Sequence, residues 1–294
     1  MLTCFCMKVT LIKPQGYCAG VNNAIKIALK AKEEHPDEDV YVLGMLVHNE
    51  LVINELKERG ITTLDRKDQS DETMLYSLKD GSIVVFSAHG HKKELDKIAT
   101  EKHFIIYDAT CPIVQRNLSI IQNELNSNHQ IIYIGHEGHP EAEAALSIDK
   151  DVYFYNPKKE FDYSKIKDKH VFVINQTTFN INELKELYID IIVHKPKARI
   201  ENEICNATRL RQEAIINLKE DVDMILIIGD NASSNSKRLL EIAKTSHPNI
   251  ESHLINNLEQ LKEMKIKSTY VAIASGASTP MSEIDKIVKY LESL

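Results

Sequence analysis

Two kinds of apolar pattern alternate along the chain, and the alternation recurs three times. The first is helical: residues 20–34 are rich in Ala, Ile and Lys, and residues 113–125 and 207–218 carry apolar side chains at three- and four-residue intervals. The second is a short β-branched run ending in glycine, at Val40-Tyr-Val-Leu-Gly44, Ile131-Ile-Tyr-Ile-Gly135 and Met224-Ile-Leu-Ile-Ile-Gly229. A polar loop then leads into another helix, through Val47-His48-Asn49-Glu50, His136-Glu-Gly-His-Pro-Glu141 and Ala232-Ser-Ser-Asn-Ser236. Each block continues to a further apolar strand that ends in small and polar residues, at 83–90, 171–178 and 271–279.

One cysteine stands ahead of the first helix in each block. The intervals between Cys18, Cys111 and Cys205 are 93 and 94 residues (111 − 18 and 205 − 111). The three strand-ending glycines follow their cysteines by 26, 24 and 24 residues (44 − 18, 135 − 111, 229 − 205). A fixed period with the same order of elements marks an internal repeat. The chain therefore reads as an α/β protein of three related units, 8–107, 108–203 and 204–294, the last with a C-terminal helix. Strands alternating with helices predict mostly parallel sheets, whose ligands gather beyond the carboxyl ends of the strands. All the polar loops lie at those ends. Packing of the units around a pseudo-threefold axis would bring three cysteines and six polar loops to one central cavity.

Composition narrows the chemistry. Of 294 residues, 43% are hydrophobic and 27% charged, as in an ordinary globular protein. A net charge of −7 argues against binding nucleic acid through phosphate neutralisation. The most basic stretch, Lys195-Pro-Lys-Ala-Arg199, lies beside Glu201 and Glu203 and reads as a solvated linker. The apolar runs are strand-sized, short of the ~20 residues of a membrane span, and the N-terminus lacks a secretory pattern. A cytoplasmic location is expected, where cysteines serve as metal ligands, catalytic thiols or core residues rather than disulfides.

Three thiolates from distant parts of the chain suit few tasks. Structural zinc takes four ligands with local pairs, and ferredoxin-like clusters take four cysteines in tight runs. Three cysteines leave one iron of a cubane without a protein thiolate, open to substrate. Each also precedes a helix, whose N-terminus favours a thiolate. Three buried structural cysteines are the plainer alternative. Cys4 and Cys6 form a C-x-C pair outside the repeat, in what reads as a short N-terminal extension, a fourth ligand or a second metal site being the alternative.

The loops offer His48, His89, His139, Ser233, Ser234, Asn235 and Ser278, a set of donors suited to phosphate. Packing and helix capping are the competing explanations, the latter also for Glu141. A carboxyl enclosed in a cavity can instead hold and move a proton, and Thr177 could relay one or orient a substrate hydroxyl.

These segments resemble the IspH/LytB family, the 4-hydroxy-3-methylbut-2-enyl diphosphate reductases of the non-mevalonate isoprenoid pathway. The resemblance rests on Gly16-Tyr-Cys-Ala-Gly-Val21, Val47-His-Asn49, Ser87-Ala-His-Gly90, Asp108-Ala-Thr-Cys-Pro112 and Gly135-His-Glu-Gly-His-Pro-Glu141. It continues through Asn175-Gln-Thr-Thr178, Ile204-Cys205 with Ala207-Thr208, Ser233-Ser-Asn-Ser236 and Gly276-Ala-Ser278. It implies a [4Fe–4S] cluster on Cys18, Cys111 and Cys205, with one iron not ligated by cysteine; an open iron is readily lost on oxidation, which would leave a [3Fe–4S] remnant. It implies that the substrate alcohol binds that iron, that His48, His89, His139, Ser233, Ser234, Asn235 and Ser278 hold the diphosphate, and that Glu141 supplies protons with Thr177 and His139. The products implied are isopentenyl and dimethylallyl diphosphates. No Gly-rich nucleotide fingerprint is present, so a ferredoxin or flavodoxin is the expected electron donor. Asp230 and Asn206 depart from the family pattern. An open-iron hydro-lyase would need no reductant, and a zinc-binding scaffold would be colourless.

Overall fold

A computed structural model describes residues 7–66, 69–167, 170–201, 204–219 and 221–294, so Cys4 and Cys6 lie outside the described residues. The chain enters through β1 (Lys8–Leu11) and α1 (Ala19–Glu34). The first block then runs β2 (Val40–Leu43), α2 (Glu50–Glu58), β3 (Ile61–Leu64), α3 (Asp71–Ser77), β4 (Ile83–Phe86), α4 (Lys93–Glu101) and β5 (Ile105–Asp108). The second runs α5 (Pro112–Asn126), β6 (Gln130–Ile134), α6 (Pro140–Leu146), β7 (Val152–Tyr155), β8 (Val171–Asn175), α7 (Ile181–His194) and β9 (Arg199–Glu201). The third runs α8 (Asn206–Ile216), β10 (Met224–Ile228), α9 (Ser234–Ser246), β11 (Glu251–Ile255), α10 (Leu258–Glu263), β12 (Tyr270–Ser275) and α11 (Met281–Glu292).

Three four-stranded sheets result, in the orders β3-β2-β4-β5, β7-β6-β8-β9 and β11-β10-β12-β1, with every pairing parallel. The orders are equivalent, so the expected α/β fold of three similar units is present. The described residues group into two compact units. One carries the first two sheets (within residues 20–47 and 53–204), and the other is built on the third (within 7–19, 48–52 and 205–294).

The inner strands β4, β6, β8 and β10 are buried at every position, as helix-covered parallel strands require. The loops beyond β2, β6 and β10 share one hydrogen-bond pattern. Gly44, Gly135 and Gly229 each donate their amide to the last residue of the neighbouring strand, Leu64, Tyr155 and Ile255, at 2.9, 3.2 and 2.9 Å.

Three readings change. The repeat shows two strands per block, whereas each sheet has four; β3, β5, β7, β9, β11 and β1 are short outer strands, less completely buried than the inner ones, and β1, β3, β9 and β11 are interrupted by polar residues. The basic stretch read as a linker ends in β9, where the Arg199 guanidinium lies 4.7 Å over the Phe172 ring. Strand β1, placed by the repeat in the first unit, pairs with β12 in the third sheet, in the register Lys8 to Tyr270. Each cysteine consequently follows the fourth strand of a sheet: Cys18 after β1, Cys111 after β5 and Cys205 after β9. Among the described residues no helix is long and apolar enough to cross a membrane.

Candidate functional site

Helix α6 begins with Pro140, whose missing amide is harmless at a helix start. Its N-cap is His139, not Glu141: the His139 Nδ1 accepts the Glu141 amide at 3.2 Å, so the ring proton belongs on Nε2. The Glu141 side chain is thereby free to turn inward, where it is 2% exposed. Its Oε1 accepts the Thr177 amide at 2.9 Å and its Oε2 the Thr177 hydroxyl at 2.8 Å. Thr177 sits two residues past β8 and is itself buried. Burial pushes the Glu141 carboxyl up to about 7 against the lowering effect of the two Thr177 donors and the Tyr133 hydroxyl. A buried carboxyl that titrates near neutrality can donate and accept a proton under ordinary conditions.

Tyr133 is absent from any sequence-level list of site residues. It is the fourth of the five residues of β6, between Ile132 and Ile134, and is buried with its hydroxyl toward Glu141. Gly135 makes room for its ring: a Cβ there would lie 2.9 Å from Tyr133 Cε1.

The half-buried rings of His89 and His139 meet edge to face, with centroids 5.9 Å apart. His89 Nδ1 lies 3.3 Å from the Ser87 hydroxyl. Two of the three loop histidines, Glu141 and Thr177 therefore occupy the carboxyl ends of strands in the same compact unit.

The other unit carries His48 and the third-block loops. Ser233 caps α9, accepting the Ser236 amide at 3.3 Å, so its own proton remains for a ligand. Ser236 tucks against Gly229 and Gly276, where any Cβ would collide with its side chain, and this draws the start of α9 onto the ends of β10 and β12. Ser234 is half-buried in the first turn. Asn235 is 6% exposed, and both its Oδ1 and Nδ2 lack a protein partner. A buried amide with no partner is costly unless a ligand or water meets it. The Ser278 hydroxyl donates to the His48 carbonyl at 3.1 Å.

Asp230 neither faces solvent nor stands free. Its buried carboxylate accepts the Glu50 amide at 2.9 Å and the Ala232 amide at 2.7 Å, capping the start of α2 just beyond His48. Asp230→Ala should lower stability by about 1 kcal/mol, the usual cost of a lost cap, read as a fall in thermal midpoint. An unchanged midpoint would remove the cap as the residue's role. Asn206 is exposed and accepts from Arg209 Nη2 at 2.7 Å.

Cys18, Cys111 and Cys205 are thiols rather than halves of disulfides, each half-buried and each immediately before a helix. The Cys18 amide donates to Ala277 and the Cys111 amide to Ala88, both at 3.0 Å, two residues past the third strand of their sheets. Soft, partly accessible thiols on pinned backbone fit an iron–sulfur cluster. Among the described residues no three His, Cys, Asp or Glu side chains close on a single metal ion.

The sequence profile of the LytB protein family matches residues 9–292. A 4-hydroxy-3-methylbut-2-enyl diphosphate reductase of Malacoplasma penetrans is 38% identical over 97% of each chain. One from Macrococcus caseolyticus is 34% identical over 97% of this chain and 89% of the other. Among solved structures, the E-1-hydroxy-2-methyl-but-2-enyl-4-diphosphate reductase of Plasmodium falciparum superposes with a TM-score of 0.83 at 26% identity, over 97% of this chain and 87% of that one. A second, described as (E)-4-hydroxy-3-methyl-but-2-enyl diphosphate reductase, the terminal enzyme of the non-mevalonate pathway, gives 0.68 at 28%, over 98% and 100%. The chain belongs to the LytB family, whose matched members are named 4-hydroxy-3-methylbut-2-enyl diphosphate reductases.

Proposed function

We propose that this chain converts (E)-4-hydroxy-3-methylbut-2-enyl diphosphate to isopentenyl and dimethylallyl diphosphates by reductive loss of the allylic hydroxyl. Membership of the family implies an iron–sulfur cluster. In our reading it is a [4Fe–4S] cluster on Cys18, Cys111 and Cys205, which when bound supplies electrons singly and Lewis acidity from an iron without a cysteine ligand. The balance is two electrons and two protons in, one water out, with the C–O bond broken and a C–H bond formed.

The observation that carries the protein's share is the Glu141 carboxyl, enclosed and held by both donors of Thr177. Protonated, it gives its proton to the departing hydroxyl; the carboxylate left behind is stabilised by the Thr177 amide and hydroxyl. His139, with its proton on Nε2, stands beside it as a second donor. His48, His89, His139, Ser233, Ser234, Asn235 and Ser278 bind the diphosphate with largely neutral donors. The unpartnered Asn235 amide and the start of the 13-residue α9 support this assignment. A ferredoxin or flavodoxin supplies the electrons, and the cytoplasm keeps the thiols reduced.

The test is anaerobic. Substrate is added to iron-loaded protein with a reduced viologen dye, and dye oxidation is followed. Two electrons consumed per substrate, with five-carbon diphosphates formed, is the expected result. A brown protein that oxidises no dye would overturn it in favour of a hydro-lyase.

A further inference from the structure

Helix α8 directs Thr208, Arg211, Gln212 and Ile215 inward. In that stripe an arginine is out of place, because a buried cation costs several kcal/mol unless a counter-charge meets it. Arg211 is 4% exposed. Among the described residues its guanidinium donates to neutral carbonyls: Nη2 to Gly16 at 2.6 Å, Nη1 to Ala207 at 2.9 Å and Nε to Ser275 at 3.2 Å. Among the described residues no carboxylate pairs with it.

The three acceptors share one feature. Gly16 lies two residues before Cys18, and Ala207 two residues after Cys205. Ser275 ends β12, two residues before Ala277, whose carbonyl accepts the Cys18 amide. A single planar fork thus ties the backbone around both cysteines to the end of one strand. The thiols of Cys18 and Cys205 lie near enough for a charge on either to act on Arg211. All of these residues lie in one compact unit.

We propose that Arg211 is a positioning residue and the fixed counter-charge for the Cys18 and Cys205 side of the cluster. It sets the two thiolates in place and offsets the negative charge that they and the cluster bring. The inference rests on the reading that these two cysteines are cluster ligands. A fixed positive charge favours the more negative, reduced form of a cluster, so it raises the reduction potential. A merely structural clamp would leave that potential alone.

The experiment is a redox titration of anaerobically reconstituted wild-type, Arg211→Gln and Arg211→Lys proteins, with iron per chain measured in each. At a fixed solution potential the reduced-to-oxidised ratio should fall about tenfold in Arg211→Gln, equal to 59 mV for a one-electron couple. Arg211→Lys keeps the charge but loses the fork, and should hold the wild-type ratio within about twofold while binding iron less tightly. An Arg211→Gln protein with wild-type iron content and ratio overturns the proposal. So does an Arg211→Lys protein with the full tenfold loss, and that variant decides alone if Arg211→Gln does not fold. Wild-type protein that takes up no iron overturns the cluster reading itself and this inference with it.

Discussion

Glu141→Gln is expected to cut turnover by about 10²–10⁴-fold, the usual weight of a positioned proton donor, while iron content stays at the wild-type level. Gln is nearly isosteric and its oxygen still accepts the Thr177 amide, so the site keeps its shape and loses only its acid. The wild-type rate should fall as pH rises through about 7, where the carboxyl ionises, and the variant should lack that limb. The same group leaves a mark on stability. Its folded value of about 7 stands above the ordinary 4.5, so below 4.5 both folded and unfolded chains hold the proton and its contribution is complete. Between 4.5 and 7 the unfolded chain ionises first and stability is lost; above 7 the loss is constant, roughly 3 kcal/mol. Urea denaturation at pH 5 and pH 8 should therefore show a smaller loss for Glu141→Gln than for wild type. Full turnover in the variant, or equal pH dependence of the two, would remove Glu141 as the proton donor.

Cys111→Ser should produce a colourless protein with little iron and no viologen-dependent reduction. A serine hydroxyl is a hard and weakly acidic ligand, poorly matched to iron that thiolates otherwise hold. The fold should survive, because the link from this residue to Ala88 runs through its amide, which serine keeps. Iron and sulfide per chain, set against the thermal midpoint of the metal-free protein, separate loss of the ligand from loss of the fold. A brown and active Cys111→Ser protein would sink the three-cysteine assignment.

The repeat was readable because the same elements surround Cys18, Cys111 and Cys205, and the loops beyond the glycines point to strand ends in any parallel α/β sheet. The outer strands were not readable. β9 has three residues and β1 four, too few to show alternation, and their pairing depends on partners far along the chain. Glu141 was visible as chemistry but not as geometry: nothing local says that His139 takes the cap and turns the carboxyl toward Thr177. Asp230 looked like a departure in a phosphate loop, and only the tertiary structure joins it to the start of α2. Arg211 did carry a signal. A charged residue stands four before Ile215 and three after Thr208, on the stripe where the helical period calls for an apolar one.

The pairing of β1 with β12 also sets a timetable. Residue 8 leaves the ribosome 262 residues ahead of its partner (270 − 8). At 5–20 residues per second it waits about 13 to 50 s before its edge can be covered. Cys18 waits as long, since the carbonyl that receives its amide belongs to Ala277. An unfinished chain therefore lacks the carbonyl that fixes the backbone of this cysteine. Metal loading is expected to follow completion of synthesis, and stalled chains should emerge metal-free.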